Sequence, residues 1–565
     1  MPILYRGSWP LVTVMSGLRA RIVPTGVIVM TEASIETGSS FDAVVIGAGF
    51  SGMYMLHRLR GLGLTARLYE AGDGVGGTWY WNRYPGARCD VESVEYCYSF
   101  SEELQQAWDW TERYPSQPEI LRYAEHVADR FDLRRDMRFC RRVTRAAYDA
   151  AGARWRVETD RGDRVTGRFL ITAVGCLSDA RVPDLPGTFE GESYHTGRWP
   201  HEEVDFTGKR VAVIGTGSSG IQIIPVIAER AAQVTVFQRT PNFTIPAWNR
   251  PIRPEYARWV KDNFAEMRRS MRASLFGIAA PFNTRSALAA SERERAEELE
   301  ARWAHGGPGF LGAFGDTAVD ERANEVVAEF VREKIRHTVD DPQVAELLSP
   351  RDHPIGTKRP CFDTGYYATY NRPNVRLVDV RATPIKELLS AGLRTTEATY
   401  EVDVIVYATG YDAMTGPLLA IDITGAGGVA LRDKWAGGPR TYLGLMTADF
   451  PNLFTITGPG SPSVLSNMFV SIEQHVDWIA DCLRHLADSG AAVIEADPDA
   501  EDGWTRHVGE IAAQTLFPRA DSWYMGANIP GKPRVFMPYA GGVGTYRALC
   551  DEIAAKGYEG FTLSP

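Results

Sequence analysis

The chain has 565 residues, 44 % of them hydrophobic and 23 % charged, with 61 Lys and Arg against 71 Asp and Glu and a formal net charge of −10. This composition fits a globular protein of several domains and excludes a disordered, collagen-like or coiled-coil chain. A mildly acidic chain without a basic block also lacks the cationic footprint that nucleic acids and anionic membrane surfaces require.

In residues 1–40 the apolar run is interrupted at Arg19–Pro24, and no stretch of the chain reaches the roughly 18 unbroken apolar residues of a spanning helix. The expectation is neither a secretory signal nor a membrane anchor. Residues 1–40 read as a loose extension or as a chain whose natural start is Met30.

From Phe41 the pattern becomes regular. The β-rich run Phe41–Ile46 leads into Gly47-Ala-Gly49-Phe50-Ser51-Gly52, then Met53–Arg60 with apolar residues at helical spacing, then a strand over Thr65–Tyr69 that ends at Glu70. This is a G-x-G-x-x-G turn between strand and helix, in the context that gives it meaning. Gly47 permits the turn, Gly49 lets the backbone approach a pyrophosphate, and Gly52 lets the helix pack on the strand. Glu70, 18 residues after Gly52, is placed to accept hydrogen bonds from a ribose, which suits the adenosine of FAD.

A second such unit follows: strand Lys209–Ile214, the turn Gly215-Thr216-Gly217-Ser218-Ser219-Gly220, helix Ile221–Ala228 and strand Val234–Phe237. This strand ends in Gln238-Arg239-Thr240 rather than an acid. A guanidinium and a hydroxyl favour a 2′-phosphate, so the second site reads as NADP. Two nucleotide folds in one chain imply hydride transfer from one cofactor to the other.

The expected fold class is α/β with two Rossmann-like dinucleotide-binding domains. The division is 41–186 for the first part of an FAD domain, 187–207 for an interdomain linker, 208–397 for an NADP domain, and 398–565 for the second FAD part with a C-terminal active-site loop. An Arg-, Glu- and Ala-rich stretch at about 255–341 reads as a helical excursion of the NADP domain. Tyr400–Tyr407 reads as a single strand ending at Ala408-Thr-Gly410. Seven scattered cysteines without a C-x-x-C pair, and ten histidines without ligand spacing, predict no disulfide framework, no metal site and a reducing cytoplasm.

Glycine turns name cofactors, not reactions. Three further stretches are more specific: Gly76-Gly77-Thr78-Trp79 with Tyr84-Pro-Gly-Ala-Arg-Cys-Asp90, Phe189-Glu-Gly191 through His195 to Trp199-Pro200, and Lys358-Arg359-Pro360 ahead of Tyr366-Tyr-Ala-Thr-Tyr-Asn-Arg372. With them the sequence, from about Phe41 to Leu563, resembles the Baeyer–Villiger monooxygenases, a class of two-nucleotide-domain flavoproteins. It meets both signatures of that family, G-G-x-W with Y-P-G-x-x-x-D and F-x-G-x-x-x-H-x-x-x-W-P, at every fixed position.

The resemblance implies that NADPH reduces FAD, that the reduced flavin captures O2 as a flavin peroxide, and that a ketone becomes an ester or lactone. Arg359 would be the active-site cation and Asp90 its orienting partner. Thr78, Trp79 and Tyr96 would lie at the flavin, and Gln222, Lys358, Arg359 and Trp523 at NADP. His195 would position domains, and Ser463, Val464 and Leu465 would shape the substrate pocket. A fixed guanidinium keeps its proton near neutral pH, so it can sit beside an oxygen anion. The alternatives are an N- or S-oxygenase, which would use the protonated oxidant, a disulfide reductase, for which no cysteine pair fits, and a non-catalytic nucleotide binder. No obligatory protein partner is expected.

Overall fold

The computed structural model describes residues 19–22, 28–31 and 35–565. Apart from the short antiparallel pair Arg19–Ile22 and Ile28–Thr31 and residues 35–40, the expectation for residues 1–40 lies outside the described residues. The regular chain begins earlier than Phe41, because the first nucleotide strand runs Thr37–Ile46. Its added residues pair with Arg164–Thr172, Thr37 opposite Arg164.

Two sheets organise the molecule. The larger has eight strands. At its centre Thr37–Ile46 lies parallel to Ala66–Tyr69 on one side and to Arg164–Thr172 on the other, with Val45 opposite both Leu68 and Ile171. Ala43, Val44 and Val45 are wholly buried, as expected for a parallel strand covered on both faces. Helix Phe50–Gly61 covers one face and packs on the long helix Met468–Ser489.

The second sheet is entirely parallel, in the order Val375–Asp379, Gln233–Gln238, Arg210–Ile214, Val404–Tyr407, Glu192–His195. This order corrects the expected division in two places. Glu192–His195 comes from the segment expected as linker, and Val404–Tyr407 from the segment expected as the second FAD part. The expected single strand Tyr400–Tyr407 is in fact two: Thr399–Glu401 belongs to a small antiparallel sheet, and Val404 starts a new pairing beside Val211. Asp403 makes the change of partner. Its N–H donates to the Arg210 carbonyl at 2.8 Å, and its carboxylate accepts from the Arg210 N–H and guanidinium.

The helical excursion forms helices Pro254–Ala273, Glu292–His305, Glu321–Thr338 and Pro342–Leu348. Its two long helices face different cores. Val260, Phe264, Met267 and Met271 enter the core of the first nucleotide unit, whereas Ala323, Val327, Val331 and Ile335 enter that of the second. Among the described residues no helix is long and apolar enough to cross a membrane, and no group of His, Cys, Asp and Glu could hold a metal ion.

Candidate active site

Both glycine turns form cradles for an anion. Gly47 has φ +104°, and a Cβ there would lie 2.5 Å from the Ala173 carbonyl oxygen. A Cβ on Gly52 would overlap the Gly47 carbonyl oxygen, so the helix reaches the strand only because neither residue has a side chain. Gly49 caps helix Phe50–Gly61 with no side-chain acceptor and no acid in the first turn. The leading N–H groups stay free for phosphate oxygens. Gly76-Gly77 comes up against this turn: a Cβ on Gly77 would lie 2.8 Å from Gly49 Cα.

Glu70 is buried beside the turn, where Oε2 accepts from the Ala48 N–H at 2.8 Å and Oε1 from Gly72 at 2.7 Å. Burial raises its pKa, and these N–H bonds pull it back. Each oxygen keeps a lone pair for a ribose hydroxyl. Phe50 and Ser51 are buried in the first helical turn. Phe50 meets Tyr96 edge to face, and Trp79 Nε1 donates to the Tyr96 hydroxyl at 3.1 Å. Thr78 opens the short helix Thr78–Trp81 in the same wall.

The second cradle repeats this geometry. A Cβ on Gly215 or Gly220 would overlap a backbone oxygen, that of Ala408 or Gly215, whereas one on Gly217 would meet nothing within 4 Å. Helix Ser218–Arg230 also starts with no side-chain cap and no acid in its first turn. The residues present in both cradles therefore fit a dinucleotide pyrophosphate. Thr216 Oγ1 donates to the Thr240 carbonyl at 2.9 Å, tying the turn to the strand end, and Ser218 Oγ lies 3.2 Å from Cys361 Sγ.

Arg239 is exposed at that strand end. Lys358 lies close enough for Arg239 to help lower its pKa, although burial is the larger cause. Lys358 Nζ itself donates to the Asp521 carbonyl at 2.9 Å. Gln222, expected at NADP, also makes contacts within the protein. Its side chain accepts from the Tyr84 hydroxyl at 2.7 Å and donates to the Arg88 carbonyl at 3.1 Å, so it joins the two nucleotide units. Ser219, on the same helical turn, reaches Tyr84 as well.

The two units meet at Arg359. Gly86 in the Tyr84-Pro-Gly turn presses on the second nucleotide helix, where a Cβ would lie 2.5 Å from the Gln222 carbonyl oxygen. That turn delivers Asp90, whose Oδ2 lies 3.5 Å from Arg359 Nε. Arg359 Nη1 donates to the Val464 carbonyl at 2.9 Å. One guanidinium thus bridges three distant segments of the chain. Burial disfavours its charge, but Asp90, Tyr524, Cys89 and Cys361 more than offset this and its pKa ends above the ordinary value. Burial raises the Asp90 pKa, and Arg359 opposes that rise.

Val464 belongs to the turn Ser463–Leu465, in which Ser463 takes the left-handed φ of +38°. Its hydroxyl faces Cys176 Sγ at 3.5 Å and Met414 Sδ at 3.8 Å. These residues form an apolar wall with Tyr524, Phe536 and Met537, and Leu465 and Trp523 pack against it. The structure therefore gathers Arg359, Asp90, Ser463, Val464, Leu465 and Trp523 at one junction.

His195 has a different set of partners. Its Nδ1 accepts from the Gly197 N–H at 2.9 Å, its Nε2 lies 3.4 Å from Thr409 Oγ1, and burial lowers its pKa. Its ring meets Tyr411, whose hydroxyl donates to the Asn82 side-chain oxygen. Sequence reasoning missed the wall residues Cys176 and Met414, the cation Arg381, whose Nη2 donates to Thr240 Oγ1 at 3.0 Å, and the pair Lys532–Asp412. The one signal for Arg381 was an arginine soon after a β-rich run, and that means little until the strand's neighbour is known.

Residues 44–279 match the family model described as pyridine nucleotide-disulphide oxidoreductase. The chain is 43 % identical over 537 residues to a Baeyer–Villiger monooxygenase of Pseudooceanicola batsensis, covering 94 % of this chain and 97 % of that one. It is 43 % identical to an acetone monooxygenase (methyl acetate-forming) of Gordonia sp., covering 93 % and 99 %. Among solved structures, an oxidized steroid monooxygenase bound to NADP superposes with a TM-score of 0.89 at 55 % identity, covering 93 % of this chain and all of that one.

Proposed function

The chain belongs to the Baeyer–Villiger monooxygenase family, and from that premise we propose how its residues divide the work. It is a flavoprotein monooxygenase of Baeyer–Villiger type that uses FAD and NADP(H). When bound, the two cofactors supply two electrons and an activated oxygen atom, so that ketone, O2, NADPH and a proton give ester or lactone, NADP and water.

The first cradle, with Gly47, Gly49, Gly52, Gly76, Gly77 and Glu70, holds FAD, with Thr78, Trp79 and Tyr96 at the reactive end. The second, from Gly215 to Gly220, holds NADPH, with Arg239, Thr240 and Lys358 at the 2′-phosphate. Arg359 does the electrostatic work. Negative charge builds on oxygen during the transfer, and a cation fixed in advance stabilises it without reorganisation. Asp90 and the Val464 carbonyl aim the guanidinium. Trp523 and its neighbours exclude water from the reacting atoms.

The observation that carries this reading is the Arg359 bridge, which brings a permanent cation from the second nucleotide unit to Asp90 of the first. The substrate is a small-molecule ketone facing the wall of Val464 and Leu465. Seven free cysteines, six of them buried, suit a reducing cytoplasm.

Arg359→Ala tests the reading. It is expected to purify with bound flavin, read by visible absorbance, and to form almost no ester from a ketone panel, read by mass spectrometry. Ordinary ester formation by this variant would remove Arg359 from the chemistry.

A further inference from the structure

We propose that Arg381 is a third cation of the coenzyme phosphate site and sets the preference for NADPH over NADH. The proposal rests on the reading that Arg239, Thr240 and Lys358 receive the 2′-phosphate, and it adds a residue that no sequence motif marks.

The placement follows from strand register. Val375–Asp379 runs parallel to Gln233–Gln238 with Asp379 opposite Gln238, so the two strands end side by side. The next residues, Arg239-Thr240 on one strand and Val380-Arg381 on the other, are thereby neighbours. The Arg381 N–H donates to Asp379 Oδ1 at 2.9 Å, which fixes the turn. The guanidinium then donates from Nη2 to Thr240 Oγ1 at 3.0 Å and forms an ion pair with Asp352.

Asp352 is itself braced. Its Oδ1 lies 2.6 Å from His353 Nδ1, and His353 is buried against Phe243 with no partner for Nε2. Burial favours the neutral acid, but the bonds to His353 and Arg381 outweigh it and hold the Asp352 carboxyl well below the usual range. Asp352 therefore stays an anion and keeps Arg381 aimed across Thr240.

Charge balance then points to the ligand. Arg239, Lys358 and Arg381 crowd one spot, and both arginines help to lower the Lys358 pKa. Asp352 and Asp379 offset two of the three charges, while Asp521 is engaged by Arg534 at 2.9 Å. The surplus is one positive charge, and a phosphate monoester carries about −1.5 to −2 near neutral pH. Without Arg381 that surplus disappears. Of the two coenzymes, only NADPH brings the matching anion.

The test uses the FAD-loaded enzyme and its Arg381→Gln, Arg381→Lys and Arg239→Gln variants. Adenosine 2′,5′-bisphosphate and AMP are titrated by calorimetry, and KM is measured with NADPH and NADH. Loss of a charge-assisted contact predicts that Arg381→Gln weakens the bisphosphate about tenfold or more and AMP less than twofold. KM for NADPH should rise in step, and Arg381→Lys should recover part of the loss. Loss of bisphosphate affinity in Arg239→Gln alone would overturn the role of Arg381 and leave the site standing. Equal weakening of both ligands by Arg381→Gln would make Arg381 merely structural. No change in the bisphosphate-to-AMP ratio in any variant would overturn the phosphate site itself.

Discussion

At the scale of single residues, two ionisable groups behave in opposite ways. Arg359 is held by one carboxylate and one carbonyl on different segments, and a lysine has no planar fork to span them. Asp90→Asn keeps the shape and removes the charge, so the guanidinium loses the strongest of the charges that favour it. The expected outcome is retained flavin absorbance and a lower kcat for ester formation, with a smaller loss than in Arg359→Ala. Equal turnover by Asp90→Asn and the parent would show that Asp90 does not position the guanidinium. For Glu95 the Ala279 N–H, 3.4 Å from each carboxylate oxygen, and the charges of Arg268 and Arg113 do not offset burial. Burial and the nearby Glu92 push its pKa up to about 8 from an ordinary 4.5. Between those values the folded protein holds a proton that the unfolded chain has released, so stability falls as pH rises through the window. Glu95→Gln should therefore melt a few degrees above the parent at pH 8 to 9, with the gap closing toward pH 5. A constant difference across a thermal-melt series would place the effect elsewhere.

At the scale of elements, each nucleotide turn has glycines of two kinds, those that let the helix pack and those that leave space for a ligand. A Cβ on Gly220 would overlap the Gly215 carbonyl oxygen, whereas one on Gly217 would meet open space at an ordinary φ of −80°. Gly220→Ala must push helix Ser218–Arg230 off its strand, a distortion that costs about 1–3 kcal/mol or more. Gly217→Ala should fold normally, with any defect confined to coenzyme binding. Thermal melts and coenzyme titrations on the two variants check this, and equal melting temperatures would contradict it. These turns were legible in the sequence because strand, turn, helix and strand end are all local, as was Glu70 from its offset after Gly52. Strand partnership was not legible. Val404–Tyr407 lies next to Arg210–Ile214 although the NADP-side strands and the whole helical excursion intervene, and nothing local in Tyr400–Tyr407 announces that Asp403 changes sheets. Arg381 was hidden for the same reason, since its meaning comes from the Asp379–Gln238 register.

At the scale of the whole molecule, the site exists only where separate units are pinned together. Gln222 joins the second nucleotide helix to Tyr84 and Arg88, and Tyr411 joins the strand-end turn to Asn82. The C-terminal segment is fastened to the same strand-end turn. Lys532, its side chain only 10 % exposed, meets the Asp412 carboxylate and donates to the Ala413 carbonyl at 2.8 Å, while Asn528 donates to the Tyr411 carbonyl at 2.7 Å. The same segment carries Trp523 and puts Tyr524 beside Arg359. Removing Lys532 leaves a half-buried carboxylate without its partner, an unfavourable state that the chain relieves by letting the segment move away. Lys532→Met, together with Lys532→Met/Asp412→Asn to remove the stranded charge, separates repulsion from simple loss of the fastening. Both variants are expected to bind FAD and oxidise NADPH while yielding less ester per NADPH consumed, with hydrogen peroxide making up the difference, because water then reaches the reacting atoms. The double variant should couple no better than the single one if fastening is what matters. Full recovery of ester yield in the double variant would instead assign the defect to the bare Asp412 charge, and unchanged coupling in both would mean that the segment is held over the site by its apolar wall alone.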